Sequence, residues 1–204
     1  SSPGERDVFE LLLRASRVGP KLAQTVLSGM QPGRLLSALE TGDLTALCKI
    51  PGVGRKLAER GYAVITGGGP GIMEAANRGA SEAGGINVGL GISLPIEQEN
   101  NAHITRELSL EFHYFFMRKF WFAYMAKAII VFPGGFGTLD ELFEVVTLVQ
   151  TGKIQSFPIV LMGTSYWRRL LHLIHRMERE GAISADDLRL WLTTDDLEEA
   201  LARR

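Results

Sequence analysis

A chain of 204 residues that is 46% hydrophobic and 22% charged has the composition of a globular protein. It has room for one domain of typical size and a small extra one. No run approaches the roughly 18 apolar residues of a membrane span. The first residues lack the basic stretch and apolar core of a secretory signal. Cys48 is the only cysteine, so we exclude an internal disulfide and expect a cytoplasmic location.

Charge divides the chain into two parts. The first 60 residues carry a net charge of +3 and the remainder a net charge of -4. A basic front and an acidic body indicate different partners for the two parts. The four histidines show no metal-ligand spacing and nothing marks a cofactor-binding lysine, so we expect neither a metal nor a cofactor.

The first 60 residues have a helical pattern without a convincing strand. Apolar residues recur at helical spacing between Val8 and Leu27. Glycine and proline divide the segment into four or five predicted short helices. The predicted breaks lie at Gly19-Pro20, at 29–32, at Gly42 and at Pro51-Gly52-Val53-Gly54.

From Tyr62 onward, apolar strands alternate with helices. The strands are predicted at 63–66, 86–90, 128–132, 158–162 and 188–192, and the helices at 71–83, 112–126, 138–150, 166–180 and 194–203. This alternation predicts an α/β fold with a Rossmann-like parallel sheet and helices on both faces. The helix at 112–126 is apolar nearly all round, so we expect it to be buried, in part against a second subunit.

Two glycine loops follow predicted strands and precede predicted helices. The first is Thr66-Gly67-Gly68-Gly69-Pro70-Gly71 and the second is Pro133-Gly134-Gly135-Phe136-Gly137-Thr138. At this edge of a parallel sheet, backbone N–H groups and the helix dipole favour an anion such as a phosphate. The first loop lacks the spacing of a dinucleotide fingerprint and the lysine of a P-loop, so its glycines could equally serve a tight turn. The second loop is also compatible with a capping box, with Thr138 as the N-cap and Glu141 folding back onto the backbone.

These loops also carry a family resemblance. Gly67-Gly68-Gly69-Pro70-Gly71-Ile72-Met73-Glu74, Met117-Arg118-Lys119 and Pro133-Gly134-Gly135-Phe136-Gly137-Thr138-Leu139-Asp140-Glu141 resemble the LOG family of cytokinin-type nucleoside 5′-monophosphate phosphoribohydrolases, often labelled "lysine decarboxylase-like". The PGGxGTxxE string is highly specific, and the resemblance covers nearly two thirds of the chain. It implies a hydrolase that releases base and ribose 5-phosphate from an AMP-like monophosphate, and a homodimer.

The resemblance assigns roles that agree with the residue types. Glu141 would stabilise the positive charge that develops on the ribose, and Arg118 would hold phosphate or ribose through its fork of donors. These two are the candidate catalytic residues. The candidate nucleotide-binding residues are Gly67, Gly68, Gly69, Gly71, Glu74, Lys119, Gly134, Gly135, Gly137 and Thr138.

The front segment, from about Arg6 to Arg60, resembles the tandem helix-hairpin-helix domain of RuvA. Val18-Gly19-Pro20-Lys21 and Ile50-Pro51-Gly52-Val53-Gly54-Arg55-Lys56 carry this resemblance. Such hairpins present glycine N–H groups to a DNA phosphate, with cations nearby. The candidate DNA-binding residues are Gly19, Lys21, Gly52, Gly54, Arg55 and Lys56. The alternative is a helical bundle whose glycines only make turns.

The two resemblances meet abruptly. A complete LOG member has a central strand before the one predicted at 63–66, and here hairpin sequence stands in its place. Losing a central strand leaves two unpaired ladder edges, which could impair activity. The gap could close by re-pairing, another chain could fill it, or the chain could be an artificial fusion. We favour a chimera joined near residues 55–61, with a hairpin segment at 1–60 and a LOG-like domain at 61–204.

Two other functions stay open from sequence alone. One is a DNA-processing protein similar to RuvA or DprA, and the other is a nucleotide-binding module without turnover. Glu141 after the second loop favours the enzyme, since a DNA-binding site would need more positive charge than the body offers.

Overall fold

The computed structural model describes residues 44–94 and 100–203, with side chains from Gly52 onward. The chain forms two compact units, of which the first ends at Arg118 and the second begins at Lys119. Each unit contains a three-stranded parallel sheet. The predicted α/β class with parallel strands and helices is therefore confirmed.

The first unit builds its sheet from strands in the order β1-β2-β3. Val64 pairs with Asn87 across β1 and β2, and Gly89 pairs with Ser109 across β2 and β3. Its elements are α1 (Leu44–Glu59), β1 (Val64–Thr66), α2 (Ile72–Glu82), β2 (Asn87–Ile92), the 3-10 turn Arg106–Leu108, β3 (Ser109–Phe112) and the start of α3 (Phe115–Met125).

The second unit orders its strands β4-β5-β6. All four residues of β5 are buried, and Trp167 donates from Nε1 to the Met162 carbonyl at 2.9 Å. Its elements after α3 are β4 (Ile129–Val131), α4 (Phe136–Gln150), β5 (Ile159–Met162), α5 (Thr164–Arg179), the 3-10 turn Ala185–Arg189, β6 (Leu192–Thr194) and α6 (Leu197–Ala202). Its core consists of Val131, Leu142, Val145, Ile159, Leu161 and Trp167.

Helix α1 corrects the prediction of a break at Pro51-Gly52-Val53-Gly54. The helix runs without interruption from Leu44 to Glu59. A proline inside a helix removes one backbone hydrogen bond and costs about 3 kcal/mol. Contact with α2 compensates for that loss, because Val53 and Gly54 are both buried. Tertiary packing thus outweighs the local helix-breaking tendency of the proline and the glycines.

Two short elements differ from the sequence prediction. The strand expected at 188–192 is instead the 3-10 turn Ala185–Arg189 followed by β6. Ser184 caps that turn in a capping box with Asp187, which directs the backbone away from a strand. Strand β3 was not predicted, because three of its four residues are exposed and it lacks an apolar run.

Helix α3 was expected to be buried, in part against a second subunit. Burial by the chain itself is not found, and burial against a second subunit stays a prediction. None of its residues is buried, and exposure reaches 63% at Phe116 and 70% at Tyr124. It also starts at Phe115 rather than at residue 112, since β3 takes Phe112. An all-apolar pattern predicts burial, but the described residues do not provide the covering surface.

Both sheets begin with an edge strand. Among the described residues, β1 pairs only with β2, and β4 pairs only with β5. These two edge strands lead directly into the two glycine loops. The open sides of β1 and β4 among the described residues are compatible with the expected loss of a central strand, which stays a prediction.

Candidate functional site

The first glycine loop connects β1 to α2. Gly68 and Gly71 both adopt φ of 78°, a region that favours glycine. A Cβ on Gly68 would lie 2.4 Å from Asn100 Oδ1, so a side chain there would also collide with the neighbouring loop. Gly71 is the N-cap of α2 and offers no side chain to cap it. The loop therefore depends on glycine for its conformation and for its close packing.

Arg118 lies beside this loop. A Cβ on Gly67 would be 3.6 Å from Arg118 Nη1, and the guanidinium carbon is 5.5 Å from the Phe115 ring centroid. The structure thus brings the predicted catalytic arginine next to the predicted phosphate loop. Glu74 lies in the first turn of α2, where a carboxylate favours the helix dipole.

A network of buried asparagines supports the first loop. Thr66 Oγ1 donates to Asn77 Oδ1 at 2.7 Å, and Asn77 Nδ2 donates to Asn87 Oδ1 at 2.9 Å. Asn77 and Asn87 have no exposed surface. Asn101 joins the network from the loop after β2, donating to Asn77 Oδ1 at 3.1 Å. Sequence reasoning missed these residues, although asparagine inside a helix and a buried strand is a usable signal.

The second loop starts α4 differently from the predicted capping box. Gly135 is the N-cap, with φ of -90° and ψ of -156°, and Thr138 lies inside the first turn. The capping-box interpretation is therefore wrong. The reason is local packing: a Cβ on Gly134 would be 2.2 Å from Thr138 Oγ1, so the threonine lies against Gly134 instead of capping. Added Cβ atoms at Gly135 and Gly137 would meet nothing within 4 Å, so this side of the turn is open.

Tyr166 holds the second loop from α5. Its hydroxyl donates to the Gly134 carbonyl at 2.6 Å, and its ring contacts the buried Trp167 ring edge-on at 4.8 Å. The carbonyl of Gly134 is thereby turned toward α5. Nothing in the local sequence marks this tyrosine, because the contact joins residues 32 positions apart.

Lys119 is engaged by two carboxylates. Its Nζ lies 3.0 Å from Asp140 Oδ1 and 3.0 Å from Glu144 Oε2. Hydrogen bonds from Lys119 to Asp140 first, and to Glu144 second, raise the pKa of the lysine above its ordinary value. The lysine stays protonated, but the two carboxylates offset its charge. This placement weakens the expectation that Lys119 attracts a phosphate.

An open groove of about 630 Å³ lies along α4 in the second unit. Phe136, at 92% exposure, is the most exposed large hydrophobic side chain among the described residues. Lys119, Phe136, Leu139, Asp140, Phe143 and Glu144 line the groove. Glu141 lies in the second turn of α4 and is partly buried.

The candidate DNA-binding residues fall into two groups. Gly19 and Lys21 lie outside the described residues. The others are part of α1, so Gly52 and Gly54 do not form the turn expected of a hairpin. A Cβ on Gly54 would be 2.0 Å from the Ala76 carbonyl oxygen, so Gly54 faces α2. Arg55 Nη2 pairs with Glu82 Oε2 at 2.6 Å.

Neither 44–94 nor 100–203 contains a helix long and apolar enough to cross a membrane. In the same ranges, no group of three or more histidine, cysteine or acidic side chains could hold a metal ion.

The geometry defines an α/β protein in which two parallel strands lead into glycine loops at helix N-termini. The family model described as "Possible lysine decarboxylase" matches residues 73–203. The chain therefore belongs to that family, the LOG family. A second model, described as "SAM-like Helix-hairpin-helix tandem", matches residues 9–60.

Curated relatives match the front segment. The chain is 54% identical over 56 residues to the Holliday junction branch migration complex subunit RuvA of Shewanella denitrificans, and the match covers 28% of each protein. The match to the same subunit of Trichlorobacter lovleyi is 52% over 56 residues, with 28% coverage of each. The chain thus spans little more than a quarter of these relatives. Matches to two families in adjacent segments are consistent with a fusion.

Solved structures share the α/β fold. The molybdenum cofactor binding protein of Rippkaea orientalis superposes with a TM-score of 0.53 at 21% identity, covering 77% of this chain and 84% of that one. The molybdenum cofactor carrier protein of Chlamydomonas reinhardtii gives 0.52 at 20%, with the same coverage. The X-ray structure of the structural-genomics target TM1055 gives 0.51 at 27%, covering 79% and 86%.

Proposed function

We propose that the LOG-like part of the chain hydrolyses the N-glycosidic bond of a nucleoside 5′-monophosphate. One observation carries this proposal. The first turn of α4 starts at a glycine without a capping side chain, opens to solvent at Gly135 and Gly137, and leads directly to Glu141. Such a turn presents N–H groups and the positive end of a helix dipole to a phosphate. A carboxylate one turn further is the group that glycosidic cleavage requires.

The first loop supports the same proposal independently. Arg118 Nη1 lies close to Gly67, so a guanidinium and a glycine-rich backbone occur together at the end of β1. Arginine presents a planar fork of donors that matches a phosphate or two ribose hydroxyls. Arg118 and the loop at Gly67 to Gly71 would thus hold the phosphate or the ribose of a nucleotide.

The experiment that tests the activity is incubation of the full chain with AMP and with other nucleoside monophosphates. Chromatography should detect free base together with ribose 5-phosphate in equal amounts. Binding without release of base would support the alternative of a nucleotide- or cofactor-binding module. That alternative is favoured by the shared fold with a molybdenum cofactor carrier. No binding at all would reject both.

We also propose that the front segment contacts the DNA backbone, on the strength of the match to RuvA at residues 9–60. Replacing Lys21, Arg55 and Lys56 together by alanine should weaken retention of four-way or duplex DNA in a gel shift at least tenfold. Each lost phosphate contact should reduce, by roughly one, the slope of the logarithm of the binding constant against the logarithm of the salt concentration.

The matched control for this experiment replaces two exposed lysines of the acidic body, Lys127 and Lys153, by alanine. This variant should retain DNA as the unaltered chain does. Equal retention by the triple variant would reject the role of these cations. A second variant, Glu82→Gln, releases Arg55 from its ion pair and should leave retention unchanged or raise it.

A second copy of the chain is the partner that we propose for the exposed aromatic side of α3. Phe120 is 53% exposed and Tyr124 is 70% exposed, and their rings stack at 5.7 Å. Exposed aromatic clusters of this kind mark protein interfaces. Because α3 has no buried residue, a symmetric contact between two such helices would cover the aromatic surface that the described chain leaves exposed.

The change Phe120→Asp should therefore convert a dimer to a monomer at micromolar concentration, as measured by light scattering after size exclusion. A charge placed in an apolar contact is costly because it loses its hydration. The same change at Tyr62, which is 51% exposed and lies outside α3, should leave the mass unchanged. A monomeric unaltered protein would contradict the proposal, and so would a dimer that persists in Phe120→Asp.

A further inference from the structure

The side chain of Asn101 makes an unusual number of contacts with the first glycine loop. Its Nδ2 donates to the Gly68 carbonyl at 3.1 Å and to the Gly69 carbonyl at 3.3 Å. The backbone N–H of Asn101 also donates to the Gly68 carbonyl, at 2.8 Å. One residue from a separate loop thus engages two successive carbonyl groups of the glycine run.

Asn101 is itself fixed by its surroundings. Its Nδ2 also donates to Asn77 Oδ1 at 3.1 Å, and its Oδ1 accepts from the His103 N–H at 3.2 Å. Asn77 has no exposed surface and is held in turn by Thr66 and Asn87. The buried part of this network, formed by Thr66, Asn77 and Asn87, favours one arrangement, because any change leaves a buried polar group without a partner.

The consequence concerns the direction of the loop's backbone groups. With the carbonyls of Gly68 and Gly69 held toward Asn101, the loop cannot turn these oxygens toward a bound anion. The N–H of Gly68 donates to Thr66 Oγ1 at 3.1 Å, which fixes the start of the loop as well. Arg118 lies by Gly67 at the same end. The network therefore sets the electrostatic character of the loop, because it withdraws negative carbonyl dipoles from it.

We infer that Asn101 is a positioning residue that holds the first glycine loop in its anion-accepting form. The identity of the ligand, a nucleoside monophosphate, rests on the proposed function, whereas the positioning of the loop by Asn101 does not. Asn101 would not touch the nucleotide. It would act through the carbonyl groups of Gly68 and Gly69.

The decisive variant is Asn101→Asp. It keeps the oxygen that accepts from His103 and replaces the donating amide by a second oxygen. This oxygen would face three acceptors, namely the carbonyls of Gly68 and Gly69 and Asn77 Oδ1. We expect amide hydrogen exchange at Gly68 and Asn101 of the ligand-free full chain, whose N–H groups donate to Thr66 Oγ1 and the Gly68 carbonyl, to accelerate at least tenfold, while exchange in β2 and α2 stays within a factor of about two.

Binding and turnover provide the second measurement. The dissociation constant for AMP should rise at least tenfold in Asn101→Asp. If base is released, KM should rise by a similar factor, with kcat changing less than about threefold, since the loop acts in binding. Asn101→Ala removes the donor without adding repulsion and should give a smaller effect of the same kind.

An exposed carboxylate of the first unit offers the control. Glu82 lies at the C-terminal end of α2 and pairs with Arg55 Nη2 at 2.6 Å on the surface. Glu82→Gln should therefore leave loop exchange and AMP affinity close to those of the unaltered chain.

Two results would overturn the inference. One is unchanged exchange at Gly68 and Asn101 in Asn101→Asp. The other is equal acceleration over the whole first unit with a lowered Tm, which would mean a purely structural role. If the unaltered chain neither binds nor cleaves AMP, the proposed function fails. The exchange measurement on the ligand-free protein still decides the positioning role.

Discussion

Glu141→Gln is expected to lower base release from AMP by about a hundredfold to a thousandfold, the range in which loss of one electrostatic contact to a transition state falls. Glutamine keeps the size and shape of glutamate but cannot offset the positive charge that develops on the ribose as the glycosidic bond breaks. It also cannot serve as a base for the attacking water. The measurement is the initial rate of base formation with saturating AMP.

The same variant should bind AMP with nearly unchanged affinity. The phosphate contacts proposed for the second loop come from the first turn of α4, before residue 141. Glu180→Gln is the control, because Glu180 pairs with Arg176 on the exposed end of α5 and should affect no rate. A full rate in Glu141→Gln would remove the catalytic assignment while leaving the phosphate site intact.

Gly54→Ala is expected to destabilise the first unit by about 3 kcal/mol, the upper part of the usual range for overpacking. The added Cβ would lie 2.0 Å from the Ala76 carbonyl oxygen, 2.9 Å from its carbon and 3.1 Å from the Ala80 nitrogen. These are backbone atoms of α2, which cannot move as a flexible side chain can. Separation of α1 from α2 is the only relief, and it exposes the buried Val53.

This measurement needs a probe suited to the first unit. The three tryptophans, Trp121, Trp167 and Trp191, all lie in the second unit, so fluorescence would not report the change. Far-UV circular dichroism in denaturant and hydrogen exchange in α2 are suitable. Gly137→Ala is the matched control, since an added Cβ there meets nothing within 4 Å.

A rise in stability in Gly54→Ala would contradict the packing of α1 on α2. In an exposed helix, alanine in place of glycine gains about 1 kcal/mol. The sign of the change therefore separates a buried helix contact from an exposed position of the kind that a DNA-binding hairpin requires.

Sequence patterns predicted the elements whose signals are local. Buried strands such as 159–162 and the glycine loops after β1 and β4 were identified because their apolar runs and turn residues are adjacent in sequence. The family was likewise evident from the string between Pro133 and Glu141, and the family match confirms it. The roles of Arg118 and Glu141 stay predictions.

The misjudged features depend on contacts that are distant in sequence. The Pro51 to Gly54 signal indicates a break, and only the contact of Gly54 with α2 keeps the helix intact. The capping box at Thr138 is a valid local pattern that packing against Gly134 displaces. Tyr166 and Asn101 reach their loops across 32 and 33 positions, which no window of sequence can reveal.

The tight packing of Thr138 on Gly134 limits what the glycine string can mean. Any side chain at position 134 would displace the side chain of Thr138, whatever molecule occupies the site. Glycine at this position is therefore required by the packing of Thr138, independently of catalysis or binding. The chemistry that separates a catalyst from a carrier must come from side chains other than this glycine, and Glu141 and Arg118 are the candidates.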